Sequence, residues 1–198
     1  MGISLSWLAV HGKSAEQVRT ELGLRSTGRV ASYPEVEYSD VTLANGWHIV
    51  ALYKETTLSE DNLLGPMSKG CEVVGGFSEE HTSFITASYW SNCVLVWSAT
   101  VEGGGEPVEF EGIDLAKIEA IRQASMAELA DEVGEEDLEE FEVDGNIPFE
   151  LARELTGFVY YEQRDDEEAN PFRELVPINF SIDIDGKPLV AADLLALM

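Results

Sequence analysis

Basic residues are scarce in this sequence. Twelve Lys and Arg residues stand against 38 Asp and Glu residues, so the net charge at pH 7 is −26. A charge of this size repels nucleic acids and anionic membrane surfaces. We therefore expect no direct nucleic-acid binding and no membrane association, and we expect a charged partner to be basic.

Cysteines and long apolar runs are also lacking. The two cysteines, Cys71 and Cys93, are too few for a disulfide framework, and the N-terminus has no basic start followed by an apolar signal segment. No run reaches the roughly 18 apolar residues that a membrane-spanning helix requires. These absences predict a cytoplasmic protein.

Motifs for catalysis and for ligand binding are absent as well. There is no P-loop, no G-x-S-x-G and no H-E-x-x-H. Cys71, His81 and Cys93 are separated by nine and eleven residues, whereas structural zinc sites typically use spacings of about two to four. The "DIDG" at residues 183–186 lacks the acid that ends a calcium loop, because Ala192 stands there. The sequence thus predicts no metal, no cofactor and no catalytic residue.

Hydrophobic residues are present in the proportion of a folded protein, 44%. The length of 198 residues predicts a single domain, 1–198. Residues 1–101 hold six bases and eleven acids, a net of −5, whereas residues 102–198 hold six bases and 27 acids, a net of −21. We expect a mostly β, near-neutral first part and a helical, strongly acidic second part with a terminal hairpin.

Strand patterns dominate the first part. "CEVVGGF", "HTSFITASYW" and "CVLVWSATVE" predict consecutive strands, because they are rich in β-branched and aromatic residues. Asn45–Gly46 predicts a type I′ hairpin turn. Ser14 and Gln17 match a capping box that opens a short helix. A second short helix is expected at residues 59–69, broken at Gly65–Pro66.

Helical periodicity dominates the second part. At about 100° per residue, six apolar residues share one side of a predicted core-facing helix: Leu115, Ile118, Ile121, Met126, Leu129 and Val133. Pro148 and Gly157 bracket a further helix. "INFSIDIDGKPLV" predicts a hairpin that turns at Asp185–Gly186, followed by a short helix. The predicted fold class is α+β: an antiparallel sheet mainly from the first half, with helices packed on one face and a C-terminal hairpin.

The acids concentrate in "ELADEVGEEDLEEFEVD", Glu128–Asp144, which has ten acidic side chains and no basic one. Like charges four residues apart, such as Glu132 and Glu136, destabilise a helix by a few tenths of a kcal/mol. Since mixed charge would give solubility without this cost, we interpret the stretch as a surface that attracts a cationic partner. The alternative is a surface that only keeps the protein in solution.

Two adjacent tyrosines, Tyr160 and Tyr161, lead into a second acidic segment, "DDEE" at residues 165–168. Neighbouring residues of a strand point to opposite sides, so one of the two is expected to be exposed. An exposed tyrosine among carboxylates is typical of an anchor for a basic partner. The predicted partner-binding residues are therefore Glu135, Glu136, Asp137, Glu139, Glu140, Tyr161, Asp165 and Asp166.

"SWLAVHGKSAEQVRTELGLRSTG" and "IPFELARELTGF" resemble a family of small soluble bacterial proteins with no assigned activity. The favoured function is a non-enzymatic acidic binding protein that engages a basic protein. Immunity-type inhibitors of bacterial toxins have this kind of role. Two alternatives stay open. One is a nucleic-acid mimic with carboxylates at phosphate-like spacings, and the other is a small hydrolase that uses the polar turn Ser78–His81 for acid–base chemistry.

Overall fold

The computed structural model describes residues 4–31, 33, 36–54, 56–103, 109–133, 143–162, 164, 166–178, 182–184 and 187–189. Its strands are β1 (Ser4–His11), β2 (Leu24–Val30), β3 (Tyr38–Thr42), β4 (His48–Tyr53), β5 (Glu72–Glu79), β6 (Phe84–Ser91), β7 (Val94–Val101), β8 (Glu109–Glu111), β9 (Arg173–Pro177), β10 (Ile182–Ile184) and β11 (Lys187–Leu189). Its helices are α1 (Ala15–Glu21), α2 (Asp61–Met67), α3 (Leu115–Val133) and α4 (Ile147–Thr156), with short 3-10 helices at Thr57–Ser59 and Val143–Asn146.

Nine strands form one antiparallel sheet in the order β2-β9-β3-β4-β1-β5-β6-β7-β8. Seven of them come from residues 1–101, which confirms the predicted α+β class with a sheet mainly from the first half. β1 is central, and its Trp7 lies opposite Ala51 of β4 and Gly76 of β5. β9 comes from the second half and lies between β2 and β3, so the acidic half of the chain completes the sheet of the near-neutral half.

Both faces of the sheet are covered. On the face of Trp7 and Ile49 the α4 helix packs on the sheet, as predicted, and α3 adds Ile118 and Ile121 to the same core. The short α1 and α2 helices pack on the opposite face, against Leu8 and Val50. All residues of β1 from Leu5 to Val10 are consequently buried. A strand buried on both sides is apolar without alternation.

Both helices predicted in the first half form, and one of them needs a correction. The Ser14–Gln17 capping box is present and opens α1. The helix predicted at residues 59–69 is not broken, since α2 runs through Gly65 and Pro66. Pro66 is next to the last residue of α2, where it removes little helical hydrogen bonding. Gly65 gives room to Trp90, because an added Cβ would lie 3.2 Å from its ring.

The hairpin between β3 and β4 forms, but its predicted type I′ turn is wrong. Gly46 has a φ of 91°, and Asn45 keeps an ordinary negative φ. The NH of Gly46 donates to the carbonyl of Leu43, and the NH of Leu43 donates to that of Trp47, which is a three-residue loop with a bulge. Asn45 is held by its own side chain, whose Nδ2 donates to the carbonyl of Thr156 at 2.8 Å.

In the second half, α4 begins with Pro148 in its first turn and ends at Gly157 with a φ of 69°, as predicted. The core-facing stripe predicted for α3 is only partly correct: Ile118 and Ile121 are buried, whereas Leu115 is 77% and Met126 41% exposed. α3 packs against α4 and the 3-10 helix Val143–Asn146, so it buries a narrower side than a helix laid on the sheet.

The C-terminal hairpin forms between β10 and β11, as a two-stranded sheet of its own. Its predicted turn, Asp185–Gly186, and the predicted C-terminal helix lie outside the described residues.

Candidate functional site

The predicted partner-binding residues divide into two sets. Glu135, Glu136, Asp137, Glu139, Glu140 and Asp165 lie outside the described residues, and Tyr161 and Asp166 lie within them. The acidic stretch joins α3, which ends at Val133, to the 3-10 helix that begins at Val143 and leads into α4. The described helices that flank this stretch in the chain are therefore α3 and α4.

A groove of about 230 Å³ lies between α3 and α4, and we call it the α3–α4 groove. It is lined by Lys117, Ala120, Ile121, Ala124, Ser125, Glu128, Glu150 and Glu154. The small side chains of α3 leave space for a ligand side chain. Three of the lining residues are carboxylates, so the groove offers an apolar floor and acidic walls.

The bases around this groove are already paired. Lys117 Nζ lies 2.6 Å from a carboxylate oxygen of Glu154. Arg153 is paired with Glu150 at 3.0 Å and also with Glu162. Glu128 makes no ion pair with any described residue, so its carboxylate remains available to a cation from outside.

A second ion-pair cluster lies around Arg122, in the first half of α3. Arg122 donates from Nε to Asp144 Oδ1 at 2.7 Å and from Nη1 to Glu119 at 2.8 Å. These two carboxylates raise the pKa of Arg122, the hydrogen bond to Asp144 contributing most. Arg122 thus fastens α3 to the 3-10 helix that follows the acidic stretch.

Tyr161 is the exposed member of the tyrosine pair. It is 50% exposed and Tyr160 is 8% exposed, which confirms that one of the two faces solvent. The strand expected for them is wrong, because both residues lie in a turn after α4. The ring of Tyr161 makes edge contacts with Phe149 and Tyr160, with centroids 5.9 and 5.0 Å apart. Partial burial raises its pKa, and Glu150 and Glu128 raise it further.

Asp166 lies elsewhere, in a cleft of about 430 Å³ beside the β3–β4 loop. One of its oxygens is 3.1 Å from Nη1 of Arg164, and the other accepts from Asn170 at 3.2 Å. Arg164 also donates to the carbonyl of Asn170 and lies over the ring of Phe172. The charge of Asp166 is thus balanced within its own turn. Asp166 lies neither at the α3–α4 groove nor beside Tyr161.

The polar turn Ser78–His81 does not form a nucleophile–base pair. Ser78 is 2% exposed, and its hydroxyl lies 3.0 Å from the hydroxyl of Tyr160, which also donates to Glu80 at 3.4 Å. His81 is exposed and donates its backbone NH to Glu79. No hydrogen bond joins the imidazole of His81 to Ser78. The hydroxyl of Ser78 instead binds Tyr160 to the sheet.

A buried polar chain was not predicted from the sequence. Arg19 donates from Nε to Asp40 Oδ2 at 2.5 Å, His48 Nε2 lies 3.2 Å from the same oxygen, and His48 Nδ1 is 2.9 Å from Thr42 Oγ1. Asp40 and His48 are at most 1% exposed. The order of hydroxyl, imidazole and carboxylate is that of a nucleophile relay, but His48 Nε2 makes no hydrogen bond to the carboxylate, and Arg19 donates to that oxygen instead. The chain fastens α1 to β3 and β4.

The described residues contain no group of three or more His, Cys, Asp or Glu side chains that could hold a metal ion. Cys71, His81 and Cys93 do not form such a group, and the side chains of the "DIDG" turn are not described. Within the described part of the chain, no helix combines the length and apolarity that crossing a bilayer requires.

Comparison with known proteins adds no relative. No family model, no curated protein and no solved structure matches the chain. The resemblance to small bacterial proteins stays a prediction.

Proposed function

We propose that this protein is a non-enzymatic binding protein that engages a basic protein through the α3–α4 face, in the manner of an immunity-type inhibitor of a bacterial toxin. The observation that supports the proposal is the α3–α4 groove, which is lined by three carboxylates and adjoins α4, where Phe149 contacts the exposed ring of Tyr161. The acidic residues 135–140 follow α3 directly in the chain and add charge of the same sign.

A lysine or arginine side chain suits this groove chemically. Its apolar stem would lie against Ala120 and Ala124, and its cation would meet Glu128 and Glu150. The face of Tyr161 offers a cation–π contact worth about 0.5–1 kcal/mol at an exposed site. The surrounding acids would raise the rate of encounter and reject acidic partners.

The test begins with the protein that co-purifies from the native host at low salt. Its binding is then measured kinetically with wild type and with the double variant Glu128→Gln, Glu150→Gln. The matched control is Glu109→Gln, Glu111→Gln, which removes the same charge from exposed residues of the edge strand β8. We expect the groove variant to lower the association rate several-fold and to flatten its salt dependence, and the control to leave both nearly unchanged.

Tyr161→Ala separates anchoring from attraction. Loss of the ring should chiefly raise the dissociation rate, because buried aromatic anchors hold a complex after it has formed. Equal association rates for the groove variant and the control would contradict the proposal. Release of the partner by competing DNA or RNA would favour the nucleic-acid mimic, and loss of activity in Ser78→Ala, His81→Ala would favour the hydrolase.

A further inference from the structure

The fold brings the two cysteines of the chain to one place. Glu72 of β5 is paired with Ser91 of β6, so Cys71 comes opposite Asn92, whose NH donates to the carbonyl of Cys71 at 3.3 Å. Cys93 is the next residue. Cys71 directly precedes β5, and Cys93 lies in the turn between β6 and β7. Disulfides form between residues whose Cα atoms lie within about 7 Å.

Ser68 hydrogen-bonds to the backbone of both cysteines. Its carbonyl accepts from the NH of Cys71 at 3.1 Å, and its hydroxyl accepts from the NH of Cys93 at 2.8 Å. Ser68 ends α2, which packs on the face where the side chain of Cys71 is buried beside Leu64. Ser68 therefore connects the backbone of the β6–β7 turn to the backbone at Cys71.

Cys93 occupies a position where a cysteine is unfavourable. Asn92 and Cys93 have φ values of 50° and 64° and form the two-residue loop between Ser91 and Val94. Such type I′ turns prefer glycine at the second position, because a side chain there strains the backbone. Cys93 is also exposed. An exposed thiol at a glycine position is a strained residue of the kind that marks functional sites.

The two thiols differ in their surroundings. Cys71 is 7% exposed, and its Sγ donates to the carbonyl of Met67 at 3.1 Å. Burial raises the pKa of the Cys71 thiol, and Lys13, which also donates to that carbonyl, opposes the rise. The exposed Cys93 is therefore the thiol that meets a reagent from solution, and Cys71 is the thiol held behind it.

We propose that Cys71 and Cys93 are a redox-modification site that forms a reversible intramolecular disulfide on exposure to hydrogen peroxide. The Cys93 thiolate attacks the peroxide, the O–O bond breaks, and Cys93 becomes a sulfenic acid as water leaves. The Cys71 thiolate then attacks the Cys93 sulfur, the S–O bond breaks and a second water leaves. The two thiols lose two electrons, the peroxide gains them, and both thiol protons end in water.

The disulfide would act on a second apolar groove. Met67, whose carbonyl accepts from the Cys71 thiol, lines a groove of about 240 Å³ together with Leu63 and Pro66 of α2. Oxidation removes that S–H donor and joins Cys71, four residues after the end of α2, to the β6–β7 turn. The site thus links the redox state of the cysteines to the hydrogen bonding at the end of α2.

The experiment uses the full chain, reduced with a dithiol and then treated with a small molar excess of hydrogen peroxide. We expect wild type to lose two hydrogens in mass, to remain unimolecular on a non-reducing gel, and to yield a peptide that joins Cys71 to Cys93. A dithiol should restore the starting mass. Cys93→Ser should form no such link, and Cys71→Ala should stop at oxidised Cys93.

Cys93→Gly tests the strained turn, because it places the preferred residue there, and it should raise the melting temperature of the reduced protein. Wild type that gains oxygen atoms without a Cys71–Cys93 peptide would overturn the proposal. A dimer linked through Cys93 as the main product would overturn it equally. Both readouts come from wild type, so they do not depend on the folding of a variant.

Discussion

At the scale of single residues, Glu72 shows how a surface carboxylate is fixed in its ionised form. Tyr89 donates its hydroxyl to Glu72 Oε1 at 2.5 Å, and His11 Nδ1 lies 3.2 Å from Oε2. The hydrogen bond from Tyr89 lowers the pKa of Glu72 most, and that from His11 lowers it further, against partial burial. Burial and the bond to Glu72 raise the pKa of Tyr89 to about 12.

Tyr89→Phe should therefore destabilise the protein in a pH-dependent way. Glu72 has a lowered folded pKa, so its contribution is present above the unfolded value of 4.5 and is lost as pH falls through the folded pKa. Tyr89 has a raised folded pKa, so its contribution is full below the unfolded value of 10.0 and is lost as pH rises through about 12. Because Glu72 is 42% exposed, we expect a loss of about 1 kcal/mol between these limits.

The measurement is denaturant unfolding of both proteins from neutral to acid pH, with an NMR titration of Glu72. Tyr53→Phe is the matched control, since the hydroxyl of Tyr53 makes no hydrogen bond to a described residue. The difference between Tyr89→Phe and wild type should shrink in acid. A constant difference down to the acid limit would show that the lost packing, and not the bond to Glu72, matters.

Residue-scale sites were the hardest to predict from the sequence. Arg19, Asp40 and His48 come from α1, β3 and β4, and only the strand register brings them together. Ser78 and His81 are close in sequence, yet β5 buries Ser78 while the turn exposes His81. Sequence proximity does not decide on which side of a strand a hydroxyl points, and so the arrangement of Ser78 and His81 could not be predicted from the sequence.

At the scale of elements, β5 depends on two successive glycines that let side chains approach from both faces. A Cβ at Gly75 would overlap Leu64 of α2, and a Cβ at Gly76 would lie 2.6 Å from the ring of Trp7. Trp7 is 1% exposed and makes an edge contact with Phe158, their centroids 5.3 Å apart. The ring of Trp7 consequently has no space into which it can move.

Gly76→Ala should destabilise the fold by about 1–3 kcal/mol, the usual cost of overpacking a core. Gly145→Ala is the control, because its Cβ would meet Ile85 at an ordinary 3.7 Å and its φ needs no glycine. It should change stability by less than about 0.5 kcal/mol or raise it slightly. The measurement is thermal and denaturant unfolding of both variants. Equal stabilities of Gly76→Ala and Gly145→Ala would mean that the ring of Trp7 moves aside without cost.

Elements with local signals were predictable, and elements fixed by distant partners were not. The Ser14–Gln17 box and Pro148–Gly157 mark the ends of α1 and α4 because caps act within one turn. β9 has no such signal, and its place between β2 and β3 depends on pairing across more than a hundred residues. The turn of Asn45 was mispredicted because Thr156, far along the chain, captures its side chain.

At the scale of the whole molecule, most of the basic residues form ion pairs within the protein. Seven of the twelve bases form ion pairs with described acids: Lys13, Arg19, Arg29, Lys117, Arg122, Arg153 and Arg164. The acids exceed all bases by 26, so most carboxylates have no cation to pair with. Their mutual repulsion opposes the compact state.

This excess predicts opposite effects of salt on folding and on binding. Raising NaCl from about 20 to 300 mM shortens the Debye length from roughly 20 Å to below 10 Å and screens the repulsion. We expect the melting temperature to rise by about 2–4 °C, which corresponds to about 1 kcal/mol at this size. Binding of a basic partner should weaken over the same range, since its attraction is screened by the same ions.

Differential scanning calorimetry in NaCl and in choline chloride tests the folding half of this prediction. Equal rises in the two salts would identify screening as the cause, because choline is too large to imitate a bound sodium ion. A rise in NaCl alone would instead indicate a specific cation site among the acids. A melting temperature that falls with salt would contradict the prediction. It would mean that the attraction within the internal ion pairs outweighs the repulsion among the acids, so that the charges of the folded protein stabilise it as a whole.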